Sequence, residues 1–185
     1  MTDARDDEEL LRRTAAGDHD AFDEIVDRHA AAVFRLTRSL TRDGFTAEDA
    51  MQEAFLAVWQ HAGDFRGETS PKVWMMTIAR NSAHRTHRRR SGEPSELEPL
   101  EELGLNAGWS AGDSDLVDAL EKRERVERGF RGLDLDDREI LILRDAEGLS
   151  GAEVASILGL SSAAMKSRLH RARLRFMANL REVSS

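Results

Sequence analysis

Apolar residues recur at intervals of three and four along most of this 185-residue chain, and the alternating apolar and polar runs of a half-buried strand are missing. That periodicity predicts an all-α protein. A first short helix is expected over about Asp7 to Ala16. A second covers about Ala21 to Leu40, with Phe22, Ile25, Val26, Val33, Leu36 and Leu40 on its inner side. A third runs from about Ala47 to His61, opened by Thr46 and Asp49 in capping-box spacing, with Ala50, Met51, Ala54, Phe55 and Val58 as its inner stripe. Ser70 and Pro71 supply a cap and a first-turn proline for a fourth, which continues through Trp74 and Ile78 towards Arg90.

The helical pattern breaks from Ser91 to about Ser114. This stretch holds two of the three prolines, four of the 13 glycines and five glutamates, the composition of a solvated tether. It also contains Leu97, Leu100, Leu103, Leu105 and Trp109, so a docking segment and a partly collapsed linker both fit. Periodicity returns at Leu116, Leu120 and Val126. Three closely spaced helices are then expected, one capped by Asp136 with Glu139, one by Ser150 with Glu153, and a last from about Ser162 to Leu180. The expected architecture is two small helical domains, 1–90 and 116–185, joined by a flexible acidic linker over 91–115.

Charge sharpens this division. The formal net charge is −8, which by itself disfavours a protein that coats nucleic acid. Block by block, however, residues 1–64 carry −8, 65–90 carry +6, 91–137 carry −9 and 138–185 carry +3. Basic surface is confined to two places. The absence of Cys excludes a disulfide framework, a thiolate zinc site and a direct thiol redox switch. An acidic N-terminus without an apolar core does not read as a signal peptide, and no apolar run reaches the roughly 18–20 residues of a membrane span. The cytosol is the expected compartment, without direct membrane contact.

The stretch from Leu149 to Phe176, LSGAEVASILGLSSAAMKSRLHRARLRF, has the spacing of a helix-turn-helix. Val154, Leu158, Leu160 and Met165 wedge two short helices together, Ala155 is small at the crossing, and Gly159 stands where the turn needs positive φ. Arg168 occupies a place that is often apolar, with Leu169 packing one residue later. The second helix carries five bases between Lys166 and Arg175, and no acid lies between Glu153 and Glu182. Short side chains near the start of a helix, followed by Arg and Lys, suit entry into a major groove. A solvated basic face is the alternative.

Between Phe65 and Arg90 lie Arg66, Lys72, Arg80, Arg85, Arg88, Arg89 and Arg90, interleaved with Trp74, Asn81, His84 and His87. Rings beside cations suit unpaired bases, which stack while guanidinium groups hold the backbone. Phe65 and Trp74 also fit as core residues, Trp74 more readily than Phe65. The histidines lack neighbours at ligand spacing, so no metal site is expected. The preceding helix shows Glu48, Asp49, Gln52 and Glu53 beside its apolar stripe, a face that repels DNA and fits either a protein partner or solvent.

Taken together these residues resemble the extracytoplasmic-function group of sigma-70 family factors, which retain only regions 2 and 4. The matching motifs are GDHDAFDEIVDRH (Gly17 to His29), AEDAMQEAFLAVW (Ala47 to Trp59), FRGETS (Phe65 to Ser70), IARN (Ile78 to Asn81) and Leu133 to Arg173, in the family's order. The resemblance implies an alternative sigma factor, a dissociable specificity subunit of RNA polymerase and not an enzyme, with no cofactor. It implies that Asp49, Gln52, Glu53 and Phe55 meet the β′ clamp helices, and that the β flap is a second polymerase contact. Phe65, Arg66, Arg80, Asn81 and Arg85 would read and open the minus-10 element of promoter DNA. Lys166, Ser167, Arg168, His170 and Arg171 would read the minus-35 element. An anti-sigma factor is a further implied partner. Pro71, the pair Met75 and Met76, and the run Ala163 to Met165 depart from the family's usual residues, which bears on the promoter sequence read. The competing expectation is a free-standing helix-turn-helix regulator with a helical sensing domain. An enzyme is the weakest, since no paired carboxylates, nucleophile–base pair or phosphate-binding glycine loop is evident.

Overall fold

A computed structural model describes residues 4–41, 43–90, 125–130 and 132–181, and every regular element among them is helical. The chain divides into two units, Met1–Leu97 and Glu98–Ser185. The expected linker, with its five apolar residues, lies outside the described residues, as do Leu116 and Leu120.

The first unit begins with α1 (Ala4–Ala15), whose first turn carries Asp6 and Asp7 and whose last carries Arg12 and Arg13, matching the helix dipole at both ends. Gly17 at φ +88° ends it, and the N–H of Asp18 returns to the carbonyl of Arg13 at 3.1 Å. Asp18 then caps α2 (His19–Leu40) by accepting from the Ala21 N–H at 3.1 Å. That bond and the neighbouring Arg13 hold the Asp18 carboxyl below its ordinary value. Residues of α1 and α2 meet α3 (Gly44–His61), a 3-10 turn (Ala62–Asp64) and α4 (Pro71–Arg90) around Leu11, Ile25, Val58, Ala62 and Met75.

The expected opening of α3 is corrected. The helix starts at Gly44, and its cap is Asp43, which accepts from the Thr46 N–H at 2.6 Å and from the Thr46 hydroxyl at 2.9 Å. A carboxylate can take both donors, so Thr46 is drawn into the first turn and buried. The cap of α4 is as expected, with Ser70 accepting from the Val73 N–H at 3.3 Å.

A buried polar knot fastens α1 to this unit. Asp7, only 4% exposed, bonds Nε2 of His29 at 3.0 Å and accepts from Arg28 at 3.1 Å. Burial lowers the His29 pKa, opposed by Asp7 and assisted by the positive charges of Lys72 and Arg28. Unfolding restores the ordinary imidazole value near 6.5. Between that value and the lower folded one the unfolded chain binds the additional proton, so the stability held above pH ~6.5 is lost as the pH falls through this window. We therefore expect the thermal midpoint to drop on acidification below pH ~6.5, and the drop to be shallower in His29→Gln, whose amide donates to Asp7 without titrating. Melting curves of both proteins across that range check this.

In the second unit helical residues 125–130 precede α5 (Leu135–Leu141), which continues into a single π turn (Ile142–Ala146), then α6 (Gly151–Leu158) and α7 (Ser162–Arg181). Asp134, not Asp136, caps α5, accepting from the Asp137 N–H at 2.7 Å. Gly132 at φ +74° turns the chain just before it, which places Asp136 and Asp137 inside the first turn, where negative charge suits the dipole. Ser150 and Glu153 form the expected reciprocal box, and Gly159 takes φ +65°. Ile140, Leu143, Val154, Leu158, Met165, Leu169 and Ala172 are buried between these helices. Gly129 is required for a different reason: a Cβ there would lie 2.2 Å from the Phe176 ring, which packs edge-on against Phe130 at 5.3 Å.

Candidate nucleic-acid and protein-binding surfaces

The buried side of α7 is Met165, Leu169 and Ala172. Helical spacing therefore puts Lys166, Ser167, His170 and Arg171 together on the opposite face, and all four are exposed. Among the described residues no carboxylate is paired with Lys166 or Arg171. Arg168, Arg173 and Arg175 lie at the margins of that face, each held by an aspartate. Arg173 donates to Asp145 at 3.0 Å through Nε, Arg175 pairs with Asp137 and, at 3.7 Å, Asp134, and Arg168 lies 2.7 Å from Asp136. These aspartates raise the pKa of Arg173 and Arg175, fixing positive charge that is already matched within the protein.

The place of Arg168 corrects its expected grouping. Its side chain is 17% exposed and turned towards α5, so it lies apart from the four exposed residues. The physical reason is angular: residue 168 is one step past the exposed face, where the helix surface already curves towards Asp136. Beyond Arg171 the same face continues into Leu174 and Met177, 57% and 46% exposed. The sequence reading missed this apolar extension, although the spacing of three from Arg171 pointed to it.

On α4 the residues Arg80, Asn81, His84, Arg85 and Arg88 share one side and line an open groove of about 530 Å³. Three of the five expected minus-10 residues are thus brought together, with His84 and Arg88 added. Phe65 and Arg66 are not in the groove. Phe65 follows the 3-10 turn, half-buried, its ring edge-on to Trp74 at 5.6 Å and packed beside Leu10, Ile25 and Met75. Arg66 is exposed next to Gly67, whose φ of +70° turns the loop. Trp74 and Arg80 are separated by about 9 Å along the helix axis at ~1.5 Å per residue, so the ring contact that receives Phe65 and the groove are successive stations along α4.

On α3, Gln52 is exposed and Asp49 and Glu53 partly so. Phe55 is a second correction: at 7% exposure it is a core residue, because it points with Ala54 and Val58 into the first unit. The exposed apolar residues are Phe45 and Leu56, 66% and 56% exposed. Phe45, Asp49, Gln52 and Leu56 recur at spacings of four, three and four, so the face is an acidic and amide centre with an aromatic and an aliphatic end. Glu53 lies at its edge and pairs with Arg89 of α4 at 2.8 Å and Arg85 at 3.9 Å. Among the described residues there is no cluster of three His, Cys, Asp or Glu that could hold a metal, and no helix long and apolar enough to cross a membrane.

Residues 25–93 match the family model for sigma-70 region 2, and residues 118–176 match the model for sigma-70 region 4. Together these stretches make up more than half of the chain. It belongs to the extracytoplasmic-function group of the sigma-70 family. This sigma factor is 33% identical to the ECF RNA polymerase sigma factor SigM of Mycobacterium tuberculosis, over 92% of its own length and 83% of the relative's. It is 32% identical to the RNA polymerase sigma factor NccH of Alcaligenes xylosoxydans xylosoxydans, over 97% of both chains. Among solved structures it resembles CnrH in complex with the cytosolic domain of CnrY, with a TM-score of 0.68, 27% identity and coverage of 96% and 97%. It also resembles RpoE from Bartonella quintana in complex with the anti-sigma factor NepR, with a TM-score of 0.66, 26% identity and coverage of 87% and 97%. The region 2 match takes in α3 and α4 of the sigma factor, and the region 4 match ends within α7.

Proposed function

We propose that this sigma factor brings RNA polymerase to a defined class of promoters through three surfaces on two domains, and starts transcription there. The observation that carries the reading is the division of charge. An acidic, apolar-ended face on α3 suits a protein, whereas the groove of α4 and the exposed face of α7 suit nucleic acid. The first domain, 1–90, holds the polymerase clamp helices through Asp49 and Gln52, with Leu56 and Phe45 supplying apolar contact. Phe65 receives a base from the opened minus-10 element. Unstacking and unpairing cost only a few kcal/mol, part of which the new stacking contact returns. Arg80, Asn81 and Arg85 hold the adjoining strand in the groove, with Arg66 at the loop.

The second domain, 116–185, lays α7 in the major groove of the minus-35 element, with Lys166, Ser167, His170 and Arg171 nearest the bases and Arg168 supporting the helix. The connecting segment 91–115 lets the two domains address separate promoter elements, and the β flap of the polymerase holds the second. Because most of the chain is acidic, phosphate attraction is confined to these two faces, and useful affinity is reached when the polymerase contributes its own contacts. The protein acts in the cytoplasm, without cofactor or chemistry of its own. CnrH and RpoE have been solved bound to CnrY and to an anti-sigma factor. The same form of control, by a protein that covers these surfaces, is proposed here. No observation favours the free-standing regulator.

Reconstitution with core polymerase on a promoter library tests the reading. Promoter-dependent transcripts are expected; tight sequence-specific binding by the chain alone, with no transcript on any promoter, would overturn it. Asp49→Ala combined with Gln52→Ala should weaken binding to core polymerase at least about tenfold while leaving the melting temperature within a few degrees. Leu56→Ser should act in the same direction. Phe55→Ala should instead lower stability by about 3–5 kcal/mol, as a buried ring does.

A further inference from the structure

Glu53 stands between two surfaces that have been assigned to different partners. Its neighbours on α3, Asp49 and Gln52, face outwards with the protein-binding stripe. Its own carboxylate, 32% exposed, reaches across to α4. One oxygen accepts from Arg89 at 2.8 Å, and the other lies 3.9 Å from Arg85, a groove residue. Both arginines keep half or more of their surface in solvent, 59% and 50%, so a phosphate can approach them. Residues 65–90 hold seven bases and a single acid. The internal neutralisation of this basic helix at Arg85 and Arg89 thus comes from α3.

We propose that Glu53 is a shared positioning carboxylate: in the free protein it competes with phosphate for Arg85 and Arg89, and on the polymerase it turns to a partner cation and releases them. This rests on the assignment of α3 to polymerase and α4 to DNA. An exposed ion pair of this kind is weak. Weakness suits the role, because the pair must exchange at little cost when a better partner arrives. The same exchange works in reverse. Phosphates that draw off Arg85 and Arg89 free Glu53 for the polymerase, so each partner strengthens the binding of the other by the same factor.

The test uses the full chain and fluorescein-labelled single-stranded DNA of random sequence, titrated at several salt concentrations with and without core polymerase. Glu53→Gln should tighten binding by the free chain about two- to fivefold, the range an exposed pair allows. It should also steepen the dependence of log K on log salt by ~0.7 for each arginine released. The gain should vanish in a background carrying Arg85→Ala and Arg89→Ala, and in the presence of saturating polymerase. Unchanged affinity, a gain that survives the double alanine background, or a gain that persists on the polymerase would each overturn the proposal. Arg88→Ala separates this from the wider reading, since Arg88 lines the groove without an ion pair among the described residues. If Arg88→Ala weakens DNA binding while Glu53→Gln changes nothing, only the role of Glu53 falls. If Arg88→Ala has no effect either, the assignment of α4 to DNA falls with it.

Discussion

Arg171→Ala should weaken binding of the polymerase complex to minus-35 duplex by about 1–3 kcal/mol, the worth of a bidentate contact between arginine and a base edge. The effect follows from exposure: Arg171 sits on the open face of α7 beside Lys166, Ser167 and His170. Its loss should also relax the preference at one base position, which a competition assay on single-base variants reads directly. Arg168→Ala should behave differently. Its guanidinium is turned to Asp136 at 2.7 Å and is largely covered, so its removal uncovers packing and leaves a carboxylate unmatched. We expect a lower melting temperature with the base preference retained. A loss of preference in Arg168→Ala equal to that in Arg171→Ala would return Arg168 to the reading face.

Phe65→Ala should impair strand opening and spare polymerase binding. Stacking of one base on a ring is worth about 1–3 kcal/mol, which corresponds to roughly 5- to 150-fold in the opening equilibrium. The half-buried ring packs edge-on to Trp74 at 5.6 Å, so the substitution also loosens the loop that precedes α4. Reactivity of unpaired thymines in the minus-10 element measures opening. A template already mismatched over that element separates the two effects. If Phe65 acts by receiving a base, the mismatched template recovers only the cost of unpairing and a deficit from lost stacking remains. If Phe65 is solely a packing residue, stability falls and opening follows stability.

What could be read from residues alone divides along physical lines. Helices were legible because burial imposes a period of 3.6, and Ser150 with Glu153 was legible because a capping box is a local code. The caps of α3 and α5 were misplaced by two or three residues because several cap-forming side chains stand close together. Which one closes the helix depends on the turn before it, set at α5 by Gly132 and at α3 by the capacity of Asp43 for two donors. The exposed quartet on α7 was legible from its spacing. The inward lean of Arg168 was not, because Asp136 is distant in sequence. The same holds for Glu53 and Arg89, 36 positions apart. Phe55 and Leu56 are adjacent and both apolar, and only the docking of α3 decides that the first is buried and the second exposed.

The pairing of Arg168, Arg173 and Arg175 with aspartates has a consequence for how such a protein diversifies. Helix α7 is anchored on its buried side by Met165, Leu169 and Ala172 and tied at both margins by those ion pairs. Its remaining face is relieved of structural duty. Exchanges at Lys166, Ser167, His170 and Arg171 can therefore rewrite the sequence preferred without disturbing the frame that presents them. A duplicated copy of this gene can acquire a new set of targets through four codons, and a designer can attempt the same.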